Sequence, residues 1–234
     1  MRKLLMVGIV LALLVAVAIP SSALTIWYGG DPDMYSALRS QQGGTISNAM
    51  TYDNFYATGS GWDVYYLVGN FAMDFQASDM AYEIRSGVSE GNGGTLVSSG
   101  VIDVTQTATG NTNSDWGTSS NVYTLAGNTT PIQLAAGEYW IGMAPVIGDP
   151  TSSSNAFVAT TSGSGGIGTP LNDGNSFFNW AGEGYNFTST SNIFGTSKDF
   201  SYGVFANPVV PEPGSMLVFG MGLASFVPFL RRRK

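Results

Sequence analysis

The sequence has no cysteine and no histidine among its 234 residues. The absence of cysteine excludes disulfides, thiol nucleophiles and a bacterial lipoprotein anchor. The absence of both residues excludes Cys/His zinc sites and every catalytic scheme that uses imidazole as its base. Carboxylate chemistry, calcium binding and a role without catalysis are the classes that remain.

Charge is also scarce, at 11% of residues against about 25% in ordinary domains. Six of the nine basic residues lie at the two ends of the chain. The interval 24–210 keeps three basic residues against fifteen acidic ones, which is a net charge of −12. Such a surface repels phosphate backbones and anionic headgroups, so nucleic-acid binding is excluded.

The N-terminus has the three parts of a secretory signal peptide. Arg2 and Lys3 precede an unbroken apolar run from Leu4 to Ile19, and small residues follow. We predict a signal peptide over residues 1–23, with cleavage by signal peptidase between Ala23 and Leu24. The alternative is an uncleaved membrane anchor, for which the run is short and ends at a helix-breaking proline.

The C-terminus repeats this logic in reverse. A proline-rich stretch from residue 208 leads into fifteen uncharged residues, Met216 to Leu230. As a helix this run is about 22 Å long, whereas the hydrocarbon core of a membrane is about 30 Å thick. The helix can therefore span a membrane only if the bilayer thins locally and the flanking cations reach the interface. The positive-inside rule keeps those cations in the cytoplasm and the body outside. A buried core helix is the alternative, and it would place the apolar run beside four charges, on Arg231, Arg232, Arg233 and Lys234.

This tail resembles the PEP-CTERM sorting signal of Gram-negative bacteria. The resemblance rests on three consecutive parts: the motif Pro211, Glu212 and Pro213, a glycine-containing apolar segment, and the terminal basic cluster. It implies recognition by exosortase, a membrane transpeptidase-like enzyme, in hosts that typically make exopolysaccharide and biofilm matrix. The expected route is an intermediate anchored in the inner membrane, then the cell surface or the matrix.

The body, residues 24–207, has the pattern of a single all-β domain. Apolar residues alternate with polar ones at period two, as in Trp62 to Val68, and Gly/Asn/Ser clusters separate the runs. These features predict an antiparallel β-sandwich of jelly-roll type. Residues 208–234 then form the sorting signal. The predicted strands are Thr25–Tyr28, Met50–Tyr56, Trp62–Gln76, Ala81–Arg85, Thr95–Val104, Asn121–Leu125, Glu138–Val146, Ala156–Thr161 and Phe200–Ala206.

Four further segments of the body have local sequence signals for helix, turn or loop. Asp31 to Gln42 is a candidate short helix or turn. Gly110–Asn113 and Gly127–Asn128 are predicted turns, and Thr151 to Ser176 is expected to be mostly a long loop.

The body is also similar to a group of secreted proteins with PEP-CTERM tails. The shared segments are Gly61–Trp62, Glu83–Gly87, the turn Gly91–Gly94 and Gly137–Trp140. The similarity implies a compact β-domain, and because that group has no assigned activity, it assigns no catalytic role to any residue of this chain.

Oxygen ligands for a hard cation cluster in two turns. Asp31 and Asp33 flank a proline, and Asp173 lies in an Asn-Asp-Gly-Asn run. Calcium prefers such ligands, although neither segment fits an EF-hand loop and Asn/Asp-Gly clusters also form plain turns. Calcium is therefore the one cofactor for which the sequence offers candidates.

Aromatic side chains are abundant, with five Trp, eleven Tyr and thirteen Phe. Exposed Trp or Tyr rings can stack on the apolar faces of sugars, whereas most rings in a sandwich are core. The candidates for glycan contact are Trp116, Tyr139, Trp140 and Trp180. In the pair Tyr139–Trp140, strand alternation places one ring inside and one outside.

Two functional classes follow. The first is a non-enzymatic surface or matrix protein that binds exopolysaccharide. The second is a glycoside hydrolase that uses paired Asp or Glu carboxylates in one cleft. The sequence assigns no catalytic residue to the second class. A protein that only fills the extracellular matrix, without binding a ligand, is a third and simpler option.

Overall fold

In the computed structural model, which describes residues 24–45, 48–113 and 120–209, fifteen strands form two packed sheets. The predicted all-β sandwich is confirmed. Helix within the described residues is limited to a 3-10 turn, Ala181–Glu183, and one short α-helix, α1, Thr190–Phe194.

The first sheet is built on the long strand β5, which pairs with β15 and β11 on one side and with β9 on the other. All of its strand pairs are antiparallel. Its strands are β1 (Thr25–Tyr28), β2 (Pro32–Arg39), β5 (Trp62–Met73), β8 (Thr105–Asn113), β9 (Ser120–Leu134), β11 (Ala156–Thr161), β14 (Asp199–Phe200) and β15 (Tyr202–Pro208).

The second sheet runs in the order β13-β12-β4-β10-β6-β7. The short strand β3 adds to β10, in the one parallel pair of the described strands. Its strands are β3 (Gln42–Gly43), β4 (Met50–Ala57), β6 (Asp79–Ser86), β7 (Thr95–Asp103), β10 (Gly137–Ile147), β12 (Phe177–Trp180) and β13 (Tyr185–Ser189).

The short helix or turn suggested for Asp31 to Gln42 is wrong, because this segment contains β2. Pro32 is the first residue of the strand, a position that tolerates its missing N–H. Antiparallel pairing with β11 then sets Leu38 opposite Val158, and both side chains are buried. Burial against the sheet outweighs a weak local preference for helix.

Two predicted turns are also wrong, since Gly110 lies within β8 and Gly127 within β9. The pairing register shifts close to both glycines. On β8 the shift lies between Ala108 and Thr112. In the pair β5–β9 it lies where Val64 and Tyr66 of β5 stand opposite Ile132 and Asn128 of β9. Glycine is common at such bulges because it adopts backbone angles that other residues avoid. Gly110 has a φ of 80°. The long-loop prediction holds for the residues between β11 and β12.

The core between the sheets is centred on Phe55 of β4, which is fully buried. Its ring centroid lies 5.7 Å from that of Trp27 and 5.8 Å from those of Trp62 and Tyr139. Trp27 completes its contacts by donating from Nε1 to the Pro170 carbonyl at 3.0 Å. Aromatic burial thus supplies much of the apolar area that holds a fold with no disulfides.

A smaller apolar cluster lies on the outer face of the second sheet. It consists of Tyr52, Val88, Trp140, Phe177 and Phe187. The turn between β6 and β7 folds over this face and meets β13, where Gly91 N–H donates to the Phe187 carbonyl at 3.2 Å. Rings on both faces of the second sheet are therefore buried.

The two ends of the described body meet at one edge of the first sheet. β1 pairs with β15 so that Thr25 stands opposite Ala206. Val209 then donates its N–H to the Gly61 carbonyl at 2.9 Å. The chain therefore enters and leaves the sandwich at neighbouring points.

The predicted membrane-directed segments lie outside the described residues. This applies to residues 1–23, to the motif Pro211–Pro213, and to the apolar run with its basic end. Among the residues that the structure does describe, none belongs to a helix long and apolar enough to cross a membrane.

Candidate functional site

A cleft of about 440 Å³ opens between strands of the two sheets. Strands β2 and β11 of the first sheet form one wall, and β12 and β13 of the second form the other. Its lining combines aromatic rings with charged and amide groups. The lining residues are Ala37, Leu38, Arg39, Asp74, Ser120, Asn155, Phe157, Phe178, Trp180, Glu183, Tyr185 and Ile193. We call it the Arg39–Trp180 cleft.

Arg39 lies at the centre of this cleft, at the end of β2. Its Cζ is 4.7 Å from the ring centroid of Phe157 and 5.3 Å from that of Trp180. Its Nη1 donates to Gln41 Oε1 and to Asn155 Oδ1, at 2.8 Å each. Burial lowers the pKa of Arg39, and the charge of Glu183 partly offsets that effect. The guanidinium is thus fixed by two rings and two amides.

The aromatic wall is formed by β12 and β13. The ring of Trp180 meets that of Phe178 edge-on, with centroids 6.2 Å apart, and Phe178 lies 5.1 Å from Tyr185. Trp180 and Tyr185 are half-buried, so each is supported from behind and open on another side. Rings held in this way offer a rigid apolar surface with polar groups at its border.

Two carboxylates line the same cleft, and both residues are exposed. Asp74 follows β5 and accepts a hydrogen bond from the Asn155 N–H at 2.9 Å. Glu183 lies in the 3-10 turn after Trp180. The cleft therefore offers acceptor groups to a ligand beside one fixed guanidinium.

Of the three predicted glycan contacts that the structure describes, one lines the cleft and two are buried. Trp180 lines the cleft, and Trp116 lies outside the described residues. Tyr139 faces the inter-sheet core and Trp140 faces the outer cluster, as alternation predicts, yet they are only 9% and 4% exposed. Trp140 is covered by Phe177 and donates from Nε1 to the Asn175 carbonyl at 3.0 Å. Neither ring offers the open face that sugar stacking needs.

The predicted calcium ligands do not converge. Asp31 accepts a hydrogen bond from the Tyr28 hydroxyl at 3.1 Å, while Asp33 accepts one from the Thr160 hydroxyl at 2.7 Å. Asp173 contacts a different set of residues, beginning with Asn54. Within the ranges that the structure describes, no three His, Cys, Asp or Glu side chains are arranged to hold a metal ion.

A pair of buried carboxyls, Asp53 and Asp199, was not among the residues predicted from the sequence. Asp53 Oδ2 accepts the Phe200 N–H at 2.7 Å, which joins β4 of the second sheet to β14 of the first. Burial first, and the charge of Asp199 second, raise the pKa of Asp53 well above its usual range. Burial likewise raises the pKa of Asp199 to about 6, against the hydrogen bond that it accepts from Gly174 N–H. The signal was available, since Asp53 shares the inward alternation of Phe55.

Comparison with known protein families identifies the tail. Residues 209–234 match the family model of the PEP-CTERM protein-sorting motif. The chain carries a PEP-CTERM sorting signal. The match contains the predicted motif residues Pro211, Glu212 and Pro213 together with the basic end of the chain, and it supports export and sorting by exosortase. No curated protein matches the sequence.

Proposed function

We propose that this exported, exosortase-sorted protein is a non-enzymatic component of the cell surface or extracellular matrix that binds exopolysaccharide at the Arg39–Trp180 cleft. The observation that carries the proposal is the fixed guanidinium between Phe157 and Trp180 in an open cleft of about 440 Å³. Ligand pockets typically have this size and combine apolar walls with a few placed polar groups.

The chemistry of the lining suits a sugar. The supported ring of Trp180 provides an apolar face, while Asp74, Glu183 and Asn155 can exchange hydrogen bonds with hydroxyl groups. The net charge of −12 over residues 24–210 disfavours a strongly anionic polymer. A neutral or amino-sugar-containing polysaccharide fits this balance best.

The test is co-sedimentation of the full chain with the exopolysaccharide of its host, with and without a calcium chelator. Saturable binding is expected, and Trp180→Ala should weaken it about tenfold, which corresponds to about 1.4 kcal/mol of lost stacking. Tyr35→Ala is the matched control, because Tyr35 is 81% exposed and does not line the cleft. Equal binding by both variants would refute the assignment of the cleft.

The second candidate is a glycoside hydrolase, which the presence of Asp74 and Glu183 in one cleft favours. Such enzymes need two carboxylates across the scissile bond, one of them acting as an acid. Release of reducing sugar that is lost in both Asp74→Asn and Glu183→Gln would establish this activity. Saturable binding without any release would leave the binding function alone.

Processing of the tail is tested separately by the intact mass of the exported protein. We expect the mature form to lack the basic end of the chain and residues 1–23. A mass that includes Lys234 would contradict removal of the tail, and it would leave an anchored protein as the alternative.

A further inference from the structure

The strongest unexplained feature outside the cleft is a group of four polar side chains around Asn54 of β4. Asn54 Nδ2 donates to Glu138 Oε1 at 2.8 Å and to Asp173 Oδ2 at 3.1 Å. Asn175 Nδ2 donates to the same Glu138 oxygen at 3.0 Å. Two strands and the loop before β12 therefore bring two carboxylates to a single amide nitrogen.

No ion pair within the described part of the chain involves these carboxylates. Among the described residues the one ion pair joins Arg85 to Glu83, Arg39 is engaged in the cleft, and Lys198, the remaining cation of the body, forms no ion pair. The local charge is strong enough that Glu138 raises the pKa of the neighbouring Tyr56 phenol. The donors that these carboxylates share, on Asn54 and Asn175, are neutral and leave the repulsion between the two anions, which a divalent ion would remove.

Asn54 supplies a second, independent observation. The residue is 1% exposed, and its Oδ1 has no hydrogen-bond partner among the described residues. A buried carbonyl oxygen without a hydrogen-bond partner destabilises the folded state. Rotation of the carboxamide by half a turn about χ2 would place this oxygen, in place of the nitrogen, against Glu138 and Asp173.

We propose that Glu138, Asp173, Asn54 and Asn175 form a calcium site. Carboxylate and carboxamide oxygens are the ligands that calcium prefers, and its flexible coordination accepts water for the remaining positions. The buried pair Asp53–Asp199 lies behind this group and is not a ligand. The site differs from the sequence prediction, because of the three predicted ligands only Asp173 belongs to it.

The experiment uses terbium as a luminescent calcium analogue on the full chain in detergent. Trp140 donates to the Asn175 carbonyl, so its indole lies beside the site and can sensitise bound terbium. We expect terbium emission on excitation of tryptophan, and we expect calcium to abolish it by competition. Absence of sensitised emission, or of competition by calcium, would overturn the proposal.

Variants that each remove one carboxylate charge test which residues bind the calcium ion. Glu138→Gln and Asp173→Asn should each weaken calcium binding at least about tenfold, because affinity follows the number of charged ligands. Asp103→Asn is the control, since Asp103 is an exposed carboxylate on β7, and it should change affinity less than about twofold. Equal affinity in all three variants would contradict the assignment.

A third variant, expected to bind calcium more tightly, keeps the proposal testable if Glu138→Gln or Asp173→Asn fails to fold. Asn54→Asp adds a carboxylate of nearly the same size at the centre of the group. It should tighten calcium binding about tenfold and increase the rise in melting temperature that calcium produces. Unchanged or weaker binding in this variant would count against the site even if Glu138→Gln failed to fold.

Discussion

The carboxyls of Asp53 and Asp199 interact inside the sandwich, where both residues are almost fully buried. They come from different sheets, β4 and β14, so the contact is part of what holds the sheets together. Two such groups can coexist in the interior only while a proton is shared between them.

This pair predicts an unusual dependence of stability on pH. The pKa of Asp199 is raised to about 6, so the folded protein binds more protons than the unfolded chain between pH 4 and pH 6. Stability therefore falls as pH rises through this range, by about 2 kcal/mol. Urea unfolding at pH 4, 5, 6 and 7 measures the effect.

Two substitutions provide the controls for that measurement. Asp199→Asn should reduce the slope, because the amide does not titrate. Asp149→Asn should leave it unchanged, since hydrogen bonds from Thr151 lower the pKa of Asp149 and move its effect below pH 4. A stability that falls equally steeply in Asp199→Asn would disprove the role of the pair.

Removal of the Phe55 ring should destabilise the protein severely. Phe55 contacts the rings of Trp27, Trp62 and Tyr139 and has no exposed surface. We expect Phe55→Ala to lower the free energy of unfolding by about 3–5 kcal/mol. Phe55→Leu fills part of the cavity and should cost less than half of that. Tryptophan fluorescence during urea unfolding reports both, and equal losses would show that ring packing is unimportant here.

Gly142 should not tolerate a side chain. A Cβ at this position would lie 2.7 Å from the ring of Tyr52 and 2.8 Å from the sulfur of Met50. Tyr52 cannot move aside freely, because it is buried and its hydroxyl donates to Glu83 at 2.7 Å. Gly142→Ala should therefore cost about 1–3 kcal/mol.

Gly148→Ala is the matched control for this substitution. A Cβ there meets no atom within 4 Å, and the residue follows β10 directly. Thermal unfolding should show a lower melting temperature for Gly142→Ala alone. Equal melting temperatures would mean that the outer face of β10 repacks without cost.

The all-β class could be predicted because period-two alternation is a local property of each strand. Strand β2 could not be predicted in this way, since Leu38 is buried only because β2 pairs with β11, more than a hundred residues away in the sequence. The burial of Trp140 was likewise hidden, because the turn that covers the outer face comes from a distant part of the sequence. Alternation distinguishes two faces but does not show that both are covered.

The candidate sites show the same limit. Trp180 could be identified as an aromatic candidate, whereas its partnership with Arg39 and Phe157 depends on the approach of β12 to β2 and β11. Asp173 could be identified by its turn chemistry, but Glu138 and Asn54 join it only through strand pairing and the return of the loop. Trp180 and Asp173 could thus be predicted from their own sequence surroundings, whereas the residues that contact them are brought close only by the fold.

The pairing of Thr25 with Ala206 has a consequence for the proposed export route. Because the chain enters and leaves the sandwich side by side, residues 1–23 and 209–234 are both joined to the same corner of the body. Both attachment points lie on the strand pair β1–β15, and β15 is held on its other side by β5 along Trp62 to Gly69. On the proposed route, removal of residues 1–23 and removal of the tail would both take place at this one corner, so the two processing enzymes could act from the same side of the body.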